Sequence, residues 1–356
     1  MARYAHEYFR TYCCRMVMNS CTAAANRTRT RTISRRYWLG AAFGSGVIAQ
    51  LRAIGMSAAT DVNTPVLRHT GMANASAGAF VDDTHFVAAS DEDNRLRLYR
   101  SDREGAALAE FDMSRFLEVS SHSPEVDIEG AARLGDRVYW LGSHSRSRDG
   151  RWRQNRHRFF ATTIGKEVST GFPKLTGVGI PCSTLLEQLL KEPKCADIGL
   201  AGAARSEVKE LSFNLEGLAG APNEGLLLGF RSPLINEQAV LVPLLNPSEM
   251  LEGKPLRFDT PILLKLDGLG IRDLVWTGKE YFIIAGNAGV GGNARLYRWK
   301  GGLSVPKRIE HSGFKHFNPE AIVAQGQAKH PRLLVLSDDG NKTVRQSAFR
   351  SFWIAL

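Results

Sequence analysis

One short pattern, written three times, constrains this chain more than its composition does: Asp127-Ile128-Glu129-Gly130-Ala131-Ala132, Asn214-Leu215-Glu216-Gly217-Leu218-Ala219 and Asn318-Pro319-Glu320-Ala321-Ile322-Val323. Each copy is followed, after a turn carrying Gly, Asn or Asp, by an apolar run: Val138 to Ser143, Leu226 to Arg231, and Leu333 to Asp338. Two weaker copies fit the same frame, Asn74-Ala75-Ser76-Ala77-Gly78 leading to Phe86–Asp91, and Ile271-Arg272-Asp273-Leu274-Val275 leading to Tyr281–Asn287. Two short antiparallel strands joined by a tight turn, recurring five times, is the physical content of that pattern.

The copies start at 74, 127, 214, 271 and 318, so the steps are 53, 87, 57 and 47 residues. A period of roughly 40–50 residues built from short apolar strands is what a four-stranded propeller blade requires, whereas a helical solenoid would carry a 3.6-residue rhythm. The expected fold is therefore all-β, a β-propeller with five recognisable blades, and the step of 87 leaves room for a sixth. An insertion over 164–213 is the preferred account of that step, because Ser183-Thr184-Leu185-Leu186-Glu187-Gln188-Leu189-Leu190 has a helix-start residue, helical apolar spacing and Pro193 as a stop, predicting a short helix near 183–191.

The formal charge of +10 suggests a nucleic-acid partner until it is located. Residues 1–59 hold nine arginines against Glu7 alone, which accounts for +8 of it. The remaining +2 gives no basic footprint, so no nucleic acid is expected. The basic leader contains Ser34-Arg35-Arg36-Tyr37-Trp38-Leu39-Gly40 before an apolar stretch to Ile48, and Ser57-Ala58-Ala59 supplies small residues for cleavage. That order resembles a twin-arginine export signal, although Arg52 interrupts the apolar segment and more than thirty residues precede the arginines. The expected organisation is a leader over 1–59 and a propeller over 60–356, periplasmic or secreted, monomeric, with no membrane span in the mature chain.

Cys182 and Cys195 are the only cysteines outside the leader. After export they could close a loop as a disulfide; the alternative is two unrelated buried thiols. Neither a CxxC pair nor an HExxH motif is present, so zinc has no case.

The third motif position reads Ser76, Glu129, Glu216, Asp273 and Glu320. If the motif opens the innermost strand of each blade, these groups converge on the channel axis. Carboxylates so close either hold a hard cation such as Ca²⁺ or keep protons through raised pKa values. The alternative is that each hydrogen-bonds backbone amides of the next blade and ties the ring together. The ends of the apolar runs supply a second set on one rim: Asp91, His144, Arg146, Arg231, Asp338 and Asp339. Acids and arginines together suit a metal with an anionic substrate.

Asp-Ile-Glu-Gly-Ala-Ala with Trp-Leu-Gly-Ser-His-Ser-Arg, Phe-Asn-Leu-Glu-Gly-Leu-Ala with Leu-Leu-Gly-Phe-Arg-Ser-Pro-Leu, Gly-Leu-Gly-Ile-Arg-Asp-Leu, and Phe-Asn-Pro-Glu-Ala with Leu-Ser-Asp-Asp-Gly together resemble the bacterial family known as domain of unknown function 3616, over most of 66–350. The resemblance carries no activity. More remotely, the Glu-Gly repeat is similar to that of the propeller family named esterase-like activity of phytase, which implies an ester or phosphoester substrate with calcium. The leading expectation is a metal-assisted hydrolase of an anionic phosphoester or ester, with Glu129, Glu216, Asp273 and Glu320 on the cation, Arg146, Arg231, Asp91 and Asp339 on the substrate, and His144 or Asp338 handling protons. The competing expectation is a non-catalytic propeller module that binds a small anionic molecule or a protein partner on the same rim.

Overall fold

The computed structural model describes residues 65–208, 211–289, 294–326, 331–340 and 347–356. The twin-arginine segment and the leader boundary at 59 lie outside them. Each repeat folds as expected into two antiparallel strands, and two more complete a blade. The chain opens with β1 (Leu67–Thr70). Blade I is β2 (Ala77–Phe80), β3 (His85–Ala89), β4 (Arg95–Arg100) and, after the two-residue β5 (Gly105–Ala106), β6 (Ala109–Asp112). Blade II is β7 (Ile128–Leu134), β8 (Arg137–Gly142), β9 (Phe159–Lys166) and β10 (Pro173–Cys182). Blade III is β11 (Asn214–Gly220), β12 (Leu226–Ser232), β13 (Ala239–Leu244) and β14 (Ile262–Leu264). Blade IV is β15 (Gly270–Trp276), β16 (Tyr281–Gly286), β17 (Arg295–Trp299) and β18 (Lys307–Ile309).

Blade V is β19 (Pro319–Gln325), β20 (Arg332–Ser337) and β21 (Ala348–Ala355), with β1 as its fourth strand and the short β5 parallel to β1 at the edge. β1 pairs antiparallel with β21, Leu67 opposite Ser351, so the two ends of the propeller share one sheet and the ring closes. The five first strands, β2, β7, β11, β15 and β19, pack against one another in circular order around the channel.

The apolar runs read as unbroken because both their faces are buried. Side chains alternate across a strand, so in β8 Val138 and Trp140 enter the core shared with blade I, while Tyr139 and Leu141 enter the core shared with blade III. In β20 Leu334 and Leu336 face blade I, and Leu333 and Val335 face blade IV. Five such cores, one between each pair of adjacent blades, hold the ring together.

Among the described residues the long step holds no sixth blade. Residues 164–182 hold the end of β9, a turn and all of β10, and the insertion runs from 183 to 213, carrying α1 (Leu185–Lys191), a 3₁₀ segment (Pro193–Ile198) and α2 (Leu200–Arg205). Leu185, Leu186, Leu189, Leu200 and Ala203 cap the core between blades II and III. A third helical turn, α3 (Pro247–Met250), follows β13 and adds Met250 to that core. The expected disulfide is absent. Both thiols are free: Cys182 Sγ lies 3.7 Å from Thr184 Oγ1, and burial pushes the Cys195 thiol up to about 11. No helix among the described residues is long and apolar enough to cross a membrane.

Candidate functional site

Four inner strands share one irregularity at the same level. The register of β7 against β8 slips between Ile128 and Gly130, leaving Glu129 as the extra residue of a β-bulge. The same slip isolates Glu216 in β11, Arg272 in β15 and Glu320 in β19. The ring at the channel mouth is therefore Ser76, Glu129, Glu216, Arg272 and Glu320. The sequence frame misplaced blade IV by one residue, and Asp273 is not a member.

Asp273 does something else. Its Oδ1 accepts from its neighbour Leu274 N at 2.8 Å, and its Oδ2 accepts from Ile322 N of blade V at 2.8 Å. It rivets adjacent blades through their backbones, the role weighed above as the alternative for the whole set. Burial still holds its carboxyl well above the usual range.

Arg272 answers Glu320 across the boundary between blades IV and V, and Arg231 at the end of β12 answers Glu216, Nη1 to Oε1 at 2.6 Å. Among the described residues Glu129 makes no such direct pair, although Arg156 and Arg231 act on it through space. It is pushed well above the ordinary carboxylate range by burial first, then by the charges of Glu216, Asp127, Asp91 and Glu320. Asp91, at the end of the apolar run in blade I, accepts a hydrogen bond from Asn74 Nδ2 and is raised to about 7 by burial and by Asp127. Asp127 completes the group, 2.9 Å from Arg156 Nη1, with Arg156 Nη2 reaching Glu125 at 2.8 Å. One oxygen each of Asp91, Asp127 and Glu129 lies within 4.8 Å of the others. Run ends and motif starts are antiparallel neighbours, so the two sets read separately in the sequence form one rim.

A family model described as "Protein of unknown function (DUF3616)" matches residues 74–168 and 182–345, which include every residue of this rim. The chain belongs to this family. No curated protein matches it in sequence. Among solved structures it is similar to the allergen Mala s 1 of Malassezia sympodialis, with 11% identity, a TM-score of 0.49 and coverage of 81% of this chain and 95% of that one. It is also similar to a PQQ-bound aldose sugar dehydrogenase of Streptomyces coelicolor, with 11% identity, a TM-score of 0.40 and coverage of 82% and 99%.

In this DUF3616 chain the remaining predicted residues fall in several places. Asp338 lies on the rim, its carboxylate accepting from Gly340 N at 2.9 Å and Asn318 Nδ2 at 3.2 Å. Asp339 is taken up by Arg350, at 2.7 Å, and by Ser337 Oγ at 2.6 Å. His144 is fully enclosed: Nδ1 donates to the Gly142 carbonyl at 2.8 Å, the ring meets His157 edge-on, and burial lowers its pKa to about 4. Arg146 donates to the Gly150 carbonyl at 3.0 Å and lies over Trp152. The structure thus gathers Asp91, Glu129, Glu216, Glu320, Arg231 and Asp338, and engages Arg146, His144 and Asp339 elsewhere.

Sequence reasoning missed Asp127, Arg156 and Arg272 as site residues. The first motif position reads Asn74, Asp127, Asn214 and Asn318 in four copies, a repetition as regular as that of the glutamates and able to mark Asp127. Arg156 sits in a non-repeating loop and left no such signal.

Proposed function

We propose that the protein is a cation-binding propeller that seats a hard divalent ion, Ca²⁺ in the first instance, between Asp91, Asp127 and Glu129 at the mouth of its channel. The observation that carries this reading is the convergence of three carboxylates from two blades within 4.8 Å, one of them, Glu129, in no direct ion pair or hydrogen bond among the described residues. Carboxylates so enclosed either keep their protons or hold a cation, and an all-oxygen donor set suits Ca²⁺ rather than zinc. Export through the basic leader would deliver such a site to surroundings where calcium modules work at dissociation constants of about 10⁻⁴–10⁻³ M. In this reading the propeller is a binding module, and the loaded ion presents itself to a small anionic ligand.

Metal-assisted hydrolysis of a phosphoester or ester is the second reading. It is favoured by Asp91, raised to about 7, and Glu320, raised to about 8 by burial, with Arg272 opposing that rise. Carboxyls that titrate near neutrality can pass a proton.

The test is the melting temperature of the full chain after EDTA treatment, with and without Ca²⁺. An ion at about 100 times its dissociation constant adds roughly 2.7 kcal/mol, a rise of several degrees, and Glu129→Gln should abolish it. No change at millimolar Ca²⁺ would sink the proposal. Calcium-dependent turnover of a phosphoester or ester in the same preparation separates hydrolysis from binding alone.

A further inference from the structure

Glu216 carries its partners unevenly. Only 3% exposed, it takes Arg231 Nη1 at 2.6 Å and Asn214 Nδ2 at 2.9 Å, both on Oε1. Its other oxygen, Oε2, is buried with no partner among the described residues. Asn214 shows the same lack. Its amide is oriented by the bond to Glu216, and its Oδ1 is left buried and without a donor. Asn214 Oδ1 can only accept, and so can Glu216 Oε2 in the ionised form that pairs with Arg231. Leaving a buried acceptor bare costs about 1–3 kcal/mol, so two side by side on one strand call for something electropositive between them.

The neighbouring strand of the channel wall carries Glu129, a further carboxylate within electrostatic reach of Glu216. β7 packs so closely on β11 that a Cβ at Gly130 would stand 2.9 Å from the Glu216 carbonyl oxygen. Glu129 precedes that glycine, and Glu216 is the charge that acts most strongly on it.

We infer that a second cation sits beside the first, held by Glu216 Oε2, Asn214 Oδ1 and Glu129, so that Glu129 bridges two ions. The inference rests on the reading of Asp91, Asp127 and Glu129 as the first seat. Its chemical consequence is a change in what the rim attracts. One divalent ion among these carboxylates leaves an acidic mouth, whereas a bridged pair offers an anionic ester two Lewis-acid centres. A water molecule donating to both bare oxygens is the competing occupant, and it predicts a different stoichiometry.

Isothermal titration of Ca²⁺ into the EDTA-stripped full chain decides between them. The expected result is two ions per chain, falling to one in Asn214→Ala and in Asp91→Asn, with the second dissociation constant tightened about tenfold in Asn214→Asp, which adds a charge at the seat. Circular dichroism and melting establish that each variant is folded, and the Asn214→Asp arm keeps the test open if the alanine variant is not. One ion in the natural sequence, indifferent to both changes at Asn214, overturns the bridged pair and leaves the first seat standing. No ion at all overturns both.

Discussion

Arg231 Nη1 lies 2.6 Å from Glu216 Oε1, and the same guanidinium donates through Nε to the Asn287 carbonyl at 3.0 Å and through Nη2 to the Gly289 carbonyl at 2.7 Å. One side chain thus neutralises the ring carboxylate of blade III and grips the loop of blade IV. Both partners are almost wholly buried. Removing one charge of such a pair leaves the other uncompensated, so Arg231→Ala should cost about 3–5 kcal/mol in urea denaturation. Adding Glu216→Gln should recover part of the loss. A cost below about 1 kcal/mol would mean that solvent screens the pair.

Asp273 predicts a separation of stability from binding. Replacing it by Asn keeps one acceptor but turns an amide N–H₂ toward Leu274 N or Ile322 N, which are donors themselves. A loss of about 1–3 kcal/mol follows, with Ca²⁺ affinity unchanged in titration. Weakened Ca²⁺ binding with stability retained would return Asp273 to the ligand role expected from the motif.

That misassignment shows where the sequence stops being legible. The blades were readable because each apolar run serves two cores, which demands continuous hydrophobicity over the strand and makes Phe86–Ala89, Val138–Leu141 and Leu333–Leu336 stand out. Glu129, Glu216 and Glu320 were readable because a β-bulge recurs at one level. In blade IV the same bulge carries Arg272, and the acid one position later looked like the missing copy. A linear motif cannot reveal a one-residue slip in strand register; only the pairing of Ile271 with Ala285 and of Asp273 with Ile284 does. Nor could it reveal that Asp91 of one blade would meet Asp127 of the next, a contact made by the packing of blade I on blade II. The insertion was overextended because Pro173–Cys182, an exposed outer strand, lacks the apolar run that marked the others.

Blade IV also explains its own glycine. Where other blades begin the motif with Asn or Asp, β15 begins with Gly270, and a Cβ there would stand 2.0 Å from the Arg231 carbonyl oxygen. Backbone, not a flexible side chain, is in the way. Gly270→Ala should therefore push β15 off β12 at a cost of about 3 kcal/mol or more, and disturb the Arg231–Glu216 pair with it. A melting temperature within one or two degrees of the natural protein would show that the strands can separate freely.

The pH dependence of the metal-free protein can be signed. Asp91 and Glu320 are raised in the folded state to about 7 and about 8, so between their unfolded values near 4 and these values the folded chain binds more protons than the unfolded one. Stability from these groups falls as pH rises through that range. Three buried histidines act oppositely: burial lowers His69 and His144 to about 4 and His157 to about 2, so their contribution grows with pH and is complete about one unit above their unfolded value of about 6.5. The two trends overlap below that point and separate above it. From about pH 7.5 to 8.5 the raised carboxyls govern the slope, and the EDTA-treated protein should lose stability steadily across that window. Ca²⁺ competes with the proton on Asp91, so its stabilising effect should be smallest at pH 6.5 and largest at pH 8. Denaturant midpoints at four pH values, with and without Ca²⁺, test both slopes together. A metal-free stability that rises over this window would mean that the rim carboxylates ionise without penalty, leaving no unmet charge for a cation to relieve.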